Sequence, residues 1–304
     1  MHSMHTNSTR GFHRDTRIDL MKEFTICESL SDTKSPYMTV LPEPRSYGAM
    51  VGDFLTRQGM LRQGSTIVEL GGGYGSLMRG LMEAHGRLIR KVFMVDLSKT
   101  LLKRQRERLM DYPGQVSFIN ADIHELIHAF RGADLVIVNE VIGDLDTLTG
   151  LDPRHLPGEA FALIDRYGLE HPARERFSLN SGAISLVEAL CSLEIPAFIS
   201  EHSCDPLMPG DMPYLARGLA LDSFPREIPL SGHSEYTIRF SHLMRVSRSF
   251  GRKTASGPLI DLLGITDSPA LRFMFLGNAC STEKQAVTSE FLDHVREYRW
   301  LTLE

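Results

Sequence analysis

The chain has 304 residues, 42% hydrophobic and 23% charged, with a formal net charge of −5. That composition excludes a disordered or low-complexity chain, and the acidic balance gives no support to a nucleic-acid partner. No stretch reaches the ~18 consecutive apolar residues of a membrane span, and the N-terminus lacks the apolar core of a signal peptide.

The first residues scatter His2, His5 and His13 among Ser, Thr and Arg. They read as a disordered lead-in rather than a metal site, and no metal ligand is expected. Residues 1–60 form this lead-in and a helical cover; residues 61–304 form one α/β domain. Cys27, Cys191, Cys204 and Cys280 are far apart and form no C-x-x-C pair. A reduced, cytoplasmic protein with free thiols is expected.

The most informative stretch is IVELGGGYG, residues 67–75. A β-branched and apolar run ends at Glu69, and Gly71, Gly73 and Gly75 then alternate, with Gly72 between. This punctuates a strand, a tight turn and a helix, where glycine lets a ligand lie against the backbone. Ser76–Ala84 predicts that helix, with Leu77, Leu81 and Ala84 on one face and Gly86 as its stop. Lys91–Asp96 is a second strand, followed by Leu97. An acid such as Asp96, at the end of that strand, can take both hydroxyls of a ribose. Ser98 caps a helix over Lys99–Met110, and Pro113-Gly114 stops it. Val116–Asn120 is a third strand, followed by Asp122 and Ile123. Ala133–Val138 is a fourth, ending in Asn139-Glu140. Strands and helices at this spacing predict βαβ units and a parallel sheet. Glu69, Asp96, Asp122 and Glu140 then stand at the carboxyl ends of four strands, where ligands of such sheets bind.

Residues 124–128 read HELIH, a zinc-hydrolase pattern when both imidazoles share a helix face. The segment is too short for that helix, because Gly132 and the next strand follow at once. It reads instead as the connection between strands three and four.

Residues 141–180 form an irregular insertion on the acceptor side, and 203–234 a second. Between them come a helix at Ala183–Leu193 and a fifth strand at Ala197–Ser200, ending in Glu201-His202. Ser241 is expected to cap a helix to Phe250. Strands near Arg252–Ala255 and at Leu271–Leu276 would close the sheet, with a helical turn at Pro258–Leu263 between them. Ser281–Trp300 is expected to be an amphipathic helix.

The glycine loop departs from the dinucleotide pattern G-x-G-x-x-G, because Ser76 stands where the third glycine belongs. Its E-x-G-x-G-x-G form resembles motif I of the class I S-adenosylmethionine (SAM) methyltransferases. Within that class the chain resembles the MidA-like methyltransferases, related to the mitochondrial complex I assembly-factor methyltransferase. Gly52-Asp53-Phe54-Leu55-Thr56 is similar to the family's GDF-x-T segment. ELGGGYGSLM, VDLSKTLLKRQRERL and Asn139-Glu140-Val141 are similar to its ELGxGxGxLM, VE-x-S-x-x-L-x-x-x-Q-x-x-x-L and NEL segments. The spacing of Tyr236–Gly251 and of Leu262–Ile265 is similar to two later family segments. The departures lie on the acceptor side: Gly143 stands where the family has an acid, with Asp144 one place later, and Glu201-His202-Ser203 replaces D-Y-G.

The resemblance implies a Rossmann-like, mostly parallel seven-stranded sheet with one antiparallel strand and helices on both faces, preceded by an N-terminal helical segment and carrying an insertion after strand four. It implies SAM as cofactor, held by Asp53, Thr56, Glu69, Gly71, Gly72, Gly73, Gly75, Asp96, Leu97, Asp122, Ile123 and Asn139. The expected activity is in-line methyl transfer to a protein side-chain nitrogen, arginine in the family. Glu140 and Asp144 would position the acceptor and His202 would act as base. The alternatives are a small-molecule O- or N-methyltransferase, an aminopropyl transferase, and a non-catalytic assembly factor retaining the fold. A homodimer is the assembly considered.

Overall fold

The computed structural model describes residues 4–16, 18–22, 24–277 and 280–304, so His2 lies outside it. In chain order the strands are β1 (His5–Asn7), β2 (Ser65–Leu70), β3 (Ile89–Asp96), β4 (Val116–Asn120), β5 (Leu135–Asn139), β6 (Thr147–Leu151), β7 (Phe177–Leu179), β8 (Ala197–His202), β9 (Glu227–Pro229), β10 (Ser234–Tyr236), β11 (Thr254–Pro258) and β12 (Tyr298–Leu303). The helices are α1 (Arg10–Asp15), α2 (Ile26–Ser29), α3 (Tyr47–Arg57), α4 (Ser76–His85), α5 (Lys99–Arg108), α6 (Ile123–Leu126), α7 (Gly158–Tyr167), α8 (Ser181–Ser192), α9 (Phe240–Ser249), α10 (Leu259–Leu262), α11 (Pro269–Gly277) and α12 (Glu283–Val295).

Seven strands form the main sheet in the order β11-β12-β8-β5-β2-β3-β4. β2 pairs in parallel with both β3 and β5, so the strand order reverses at β2 and a crevice opens beyond its carboxyl end. Every residue of β2 is buried, as a central parallel strand covered on both faces requires. Its alternating side chains feed two cores: Ile67 packs with α3 and α4, while Val68 and Leu70 pack with α8 and α9. The expected mostly parallel sheet with one antiparallel strand is present, β12 running antiparallel to both β8 and β11.

Three expectations fail here. Leu271–Leu276 lies in α11 rather than a strand, because Leu271 and Met274 are buried at helical spacing while Phe273 and Leu276 are exposed. The closing strand is instead β12, so the expected helix to Trp300 ends at Val295. The insertion after β5 is also partly regular, with β6, α7 and β7.

Residues 4–16 are not a disordered lead-in. β1 pairs antiparallel with β6, from His5 opposite Thr149 to Asn7 opposite Thr147. The Asn7 amide donates to the Ser234 carbonyl at 2.8 Å, and the Thr9 hydroxyl to the Asp144 carbonyl at 2.8 Å. These partners are 135 or more residues away in sequence, which is why local composition gives no sign of them.

Candidate active site

The carboxyl ends of β2, β3 and β5 and the turn after β4 open into one cleft of roughly 990 Å³, counting its mouth. Of the residues expected at the cofactor site, Glu69, Gly71, Gly72, Gly73, Asp96, Leu97, Asp122, Ile123 and Asn139 line it, together with Glu140 and Asp144. The glycine turn needs its glycines. Gly71 has φ +66°, and a Cβ there would lie 2.5 Å from Val141 Cγ2. Gly73 and Gly75 also have positive φ, +53° and +85°.

The electrostatics favour a cationic, hydroxyl-bearing ligand. Glu69 is buried and its Oε2 has no hydrogen-bond partner. Burial, with the neighbouring Asp96 charge adding, pushes its carboxyl up to about 8. Asp96 accepts from the Ser98 amide at 2.8 Å and from Gln105 Nε2 at 2.9 Å. Burial still carries its carboxyl up to about 6 against those two donors. Gln105 Nε2 also donates to the Gly73 carbonyl at 3.0 Å, so one amide ties the ribose-type acid to the glycine turn. Asp122 Oδ1 caps α6 by accepting from the His124 amide at 3.0 Å, and its Oδ2 lies 3.6 Å from Arg10 Nε.

Four expected residues stand elsewhere. Asp53 sits on α3 with its carboxylate taken by Arg45 and by His85 Nε2, and the Thr56 hydroxyl bonds back to the Gly52 carbonyl. Both face α4 or their own helix rather than the cleft. Gly75 starts α4 and packs against Gln105 on α5. His202 lies against Tyr298 with ring centroids 4.0 Å apart. Its burial, with Arg226 adding, drives it down to about 3, which leaves it a poor base at neutral pH.

The acceptor-side carboxylates are already engaged. Glu140 has φ +52°, a left-handed backbone that costs a non-glycine residue about 1–3 kcal/mol. Its side chain accepts from the Ile26 amide (2.9 Å), the Cys27 amide (3.3 Å), the Tyr298 hydroxyl (3.0 Å) and the Asn139 amide (3.1 Å). Asp144 Oδ1 lies 2.9 Å from His13 Nε2 and 3.5 Å from His233 Nε2.

A further part of the cleft wall comes from the N-terminal segment: Thr9, Arg10, His13, Leu20, Thr25, Cys27 and Glu28. Arg10 ties this roof to Asp122 and to Asp146, 3.1 Å away. The Leu20 amide donates to the Tyr74 hydroxyl at 3.0 Å, and Glu28 pairs with Arg108 at 3.5 Å. Arg10, Leu20 and Glu28 carried no local signal. Gln105 did carry one, as the glutamine of the segment after β3. The HELIH segment does not form one α-helix, since α6 ends at Leu126 and a tighter 3-10 turn follows.

Residues 67–150 match a methyltransferase domain family. Over 137 residues the chain is 30% identical to a mitochondrial ribosomal RNA small subunit methyltransferase of Arabidopsis thaliana, covering 44% of this chain and 32% of that protein. The chain thus spans about a third of the length of that curated relative. Two solved structures from Burkholderia thailandensis share the fold. An uncharacterized protein has a TM-score of 0.54 at 16% identity, covering 89% of this chain and 80% of that one. A likely methyl transferase bound to S-adenosyl-homocysteine has a TM-score of 0.51 at 16% identity, covering 91% of this chain and 78% of that one.

Fold and glycine turn are those of the class I methyltransferases, and residues 67–150 carry the matching methyltransferase domain. The residues present fit SAM. An orphaned buried carboxylate oxygen at Glu69 suits a sulfonium or ammonium charge, Asp96 suits ribose hydroxyls, and at Gly71 the turn has no room for a Cβ.

Proposed function

We propose that the chain transfers a methyl group from SAM to an oxygen or nitrogen of a small molecule held beneath the N-terminal roof. SAM supplies an electrophilic methyl, and the protein's task is to hold an acceptor in line with it and keep water out. Asp96 holds the ribose, Asp122 and Ile123 flank the adenine, and Glu69 faces the cationic end. Leu20, Leu97, Val141 and Leu145 give the cleft its apolar walls.

The observation that carries this reading is the state of the two acceptor-side carboxylates. A guanidinium needs free carboxylate oxygens for paired, charge-assisted bonds. Glu140 spends its oxygens on Ile26, Cys27, Tyr298 and Asn139, and Asp144 is shared by two histidines. The family's protein-arginine substrate therefore loses its expected receptor. A ribosomal RNA acceptor is suggested by the plant relative alone, and the net charge of −5 works against it. No helix among the described residues is long and apolar enough to cross a membrane. The free thiols fit a reducing compartment, the cytoplasm being the simplest.

The test is incubation of the purified protein with methyl-labelled SAM and separate protein, RNA and small-molecule fractions of a cell extract. Label in the small-molecule fraction supports the proposal. Label in protein or RNA overturns it.

A further inference from the structure

Asp144 sits between two histidines that come from opposite ends of the chain. His13 is on α1, Asp144 is in the 3-10 turn Ile142–Asp144 after β5, and His233 is in the β9–β10 hairpin. Among the described residues they form the one group whose ligand atoms converge, all within 4.8 Å of one another. Both histidines present the same ring atom, Nε2, to the same carboxylate oxygen.

The separations carry the argument. Two donors each about 2.1 Å from one ion stand roughly 3.0 Å apart at right angles and 3.4 Å apart in a tetrahedron. Here the His13–Asp144 and His233–Asp144 distances are 2.9 and 3.5 Å. A second observation is independent of that spacing. The His233 side chain is 7% exposed, yet neither of its ring nitrogens makes a hydrogen bond. Its Nε2 has only long approaches to carboxylates and its Nδ1 has no partner among the described residues, which is costly for a buried imidazole; Phe12, stacked on it at 4.2 Å, fixes its plane. Glu235 Oε1 lies 3.7 Å from the same Nε2 and could complete the set.

We propose that His13, Asp144 and His233 bind a divalent first-row metal ion at the edge of the cofactor cleft. Two imidazoles and one carboxylate suit zinc, manganese or iron(II), whereas magnesium and calcium favour all-oxygen shells. His13 and Asp144 line the same cleft as the cofactor residues, so the open coordination positions face the space given to the acceptor. An acceptor oxygen bound there would be held and made more acidic. That use of the ion rests on the methyltransferase reading above; binding of the ion does not. The ion would also fasten α1 to the body, because one ligand lies in the roof and two lie below it.

The test is calorimetric titration of the chelator-treated full chain with Zn²⁺ and separately with Mn²⁺, with metal content measured after gel filtration. Wild type, Asp144→Asn, His233→Ala and the surface control His155→Ala are compared, with folding checked by circular dichroism. The expected result is one equivalent of Zn²⁺ or Mn²⁺ bound at micromolar affinity or tighter, unchanged in H155A and weakened at least tenfold in folded D144N. H233A should match D144N. No stoichiometric binding by the wild type overturns the inference, as does equal binding by D144N. Titration of the same metal-free samples with S-adenosylhomocysteine keeps the two readings apart: its failure sinks the cofactor site, and its success alongside absent metal sinks only the ion.

Discussion

The backbone amide of Ile26 donates to the Glu140 carboxylate at 2.9 Å, joining the N-terminal roof to the end of β5 across 114 residues of sequence. Cys27 makes a second bond of the same kind, so the first turn of α2 rests on this one side chain. An unsatisfied buried amide costs about 1–3 kcal/mol, and Glu140→Ala would strand two. The expected result for E140A is a lower melting temperature, faster hydrogen exchange over residues 24–30 and at least tenfold weaker S-adenosylhomocysteine binding. Glu140→Gln keeps one acceptor oxygen and should lie between it and wild type. Exchange measured by mass spectrometry decides. Unchanged protection of residues 24–30 in E140A would mean that the roof is held elsewhere.

Glu69 sets a pH dependence. Its carboxyl is pushed up to about 8 in the free fold, well above its ordinary 4.5. The fold therefore holds a proton that the unfolded chain has lost. Its contribution to stability is complete below about pH 4.5, declines by about 1.4 kcal/mol per unit above that, and is spent past pH 8. Glu69→Gln should flatten that decline in urea unfolding curves recorded between these limits. A cationic ligand favours the ionised form, so SAM affinity should rise with pH up to about 8, with a proton released on binding. Calorimetry in buffers of different ionisation enthalpy measures that proton. The same proton release in E69Q would assign it to another group.

Gln105 is fully buried, and its amide bridges Asp96 and the Gly73 carbonyl. Gln105→Ala removes a donor that holds the Asp96 carboxyl down and frees the glycine turn. A hydrogen bond to a charged group is worth about 1.5–3 kcal/mol, so S-adenosylhomocysteine should bind at least tenfold more weakly. Gln105→Glu, which sets a carboxylate against Asp96, should bind less well still. Affinities within twofold of wild type for both would remove Gln105 from the site.

The strand ends and the glycine turn are legible in the sequence because their signals are local. Glu69 to Gly73 is a strand end and a turn, Asp96 ends the next strand, and Ser98 caps the helix after it with its hydroxyl accepting from the Leu101 amide at 3.3 Å. The roof was not legible. His13 meets Asp144 across 131 residues, and nothing in the composition of residues 1–30 records it. The last strand of the sheet is placed wrongly for a related reason, whereas the strand expected near Arg252–Ala255 overlaps β11. Leu271–Leu276 and β12 are both short apolar runs, and periodicity over six residues separates helix from strand poorly. Asp53 and Thr56 were drawn into the site by resemblance, while their side chains spend their bonds on α4 and on their own helix.

The start of α9 separates a local cap from a long-range one. Ser241 is well placed in sequence to cap this helix, yet its hydroxyl has no partner. Asp205 does the work instead, accepting from the Phe240 amide at 2.9 Å and the Ser241 amide at 2.8 Å. Its Oδ1 also lies 3.1 Å from Arg299 Nη1 on β12, with both side chains buried. One carboxylate thus serves a helix start and compensates a buried guanidinium. Breaking such a pair from one side costs about 3–5 kcal/mol. Asp205→Ala should therefore lower stability by about that amount in urea unfolding, while Ser241→Ala should change it by less than about 0.5 kcal/mol. Because Asp205 stands outside the cleft, S-adenosylhomocysteine affinity of the folded D205A fraction should stay near wild type. Equal losses for the two substitutions would return the cap to Ser241.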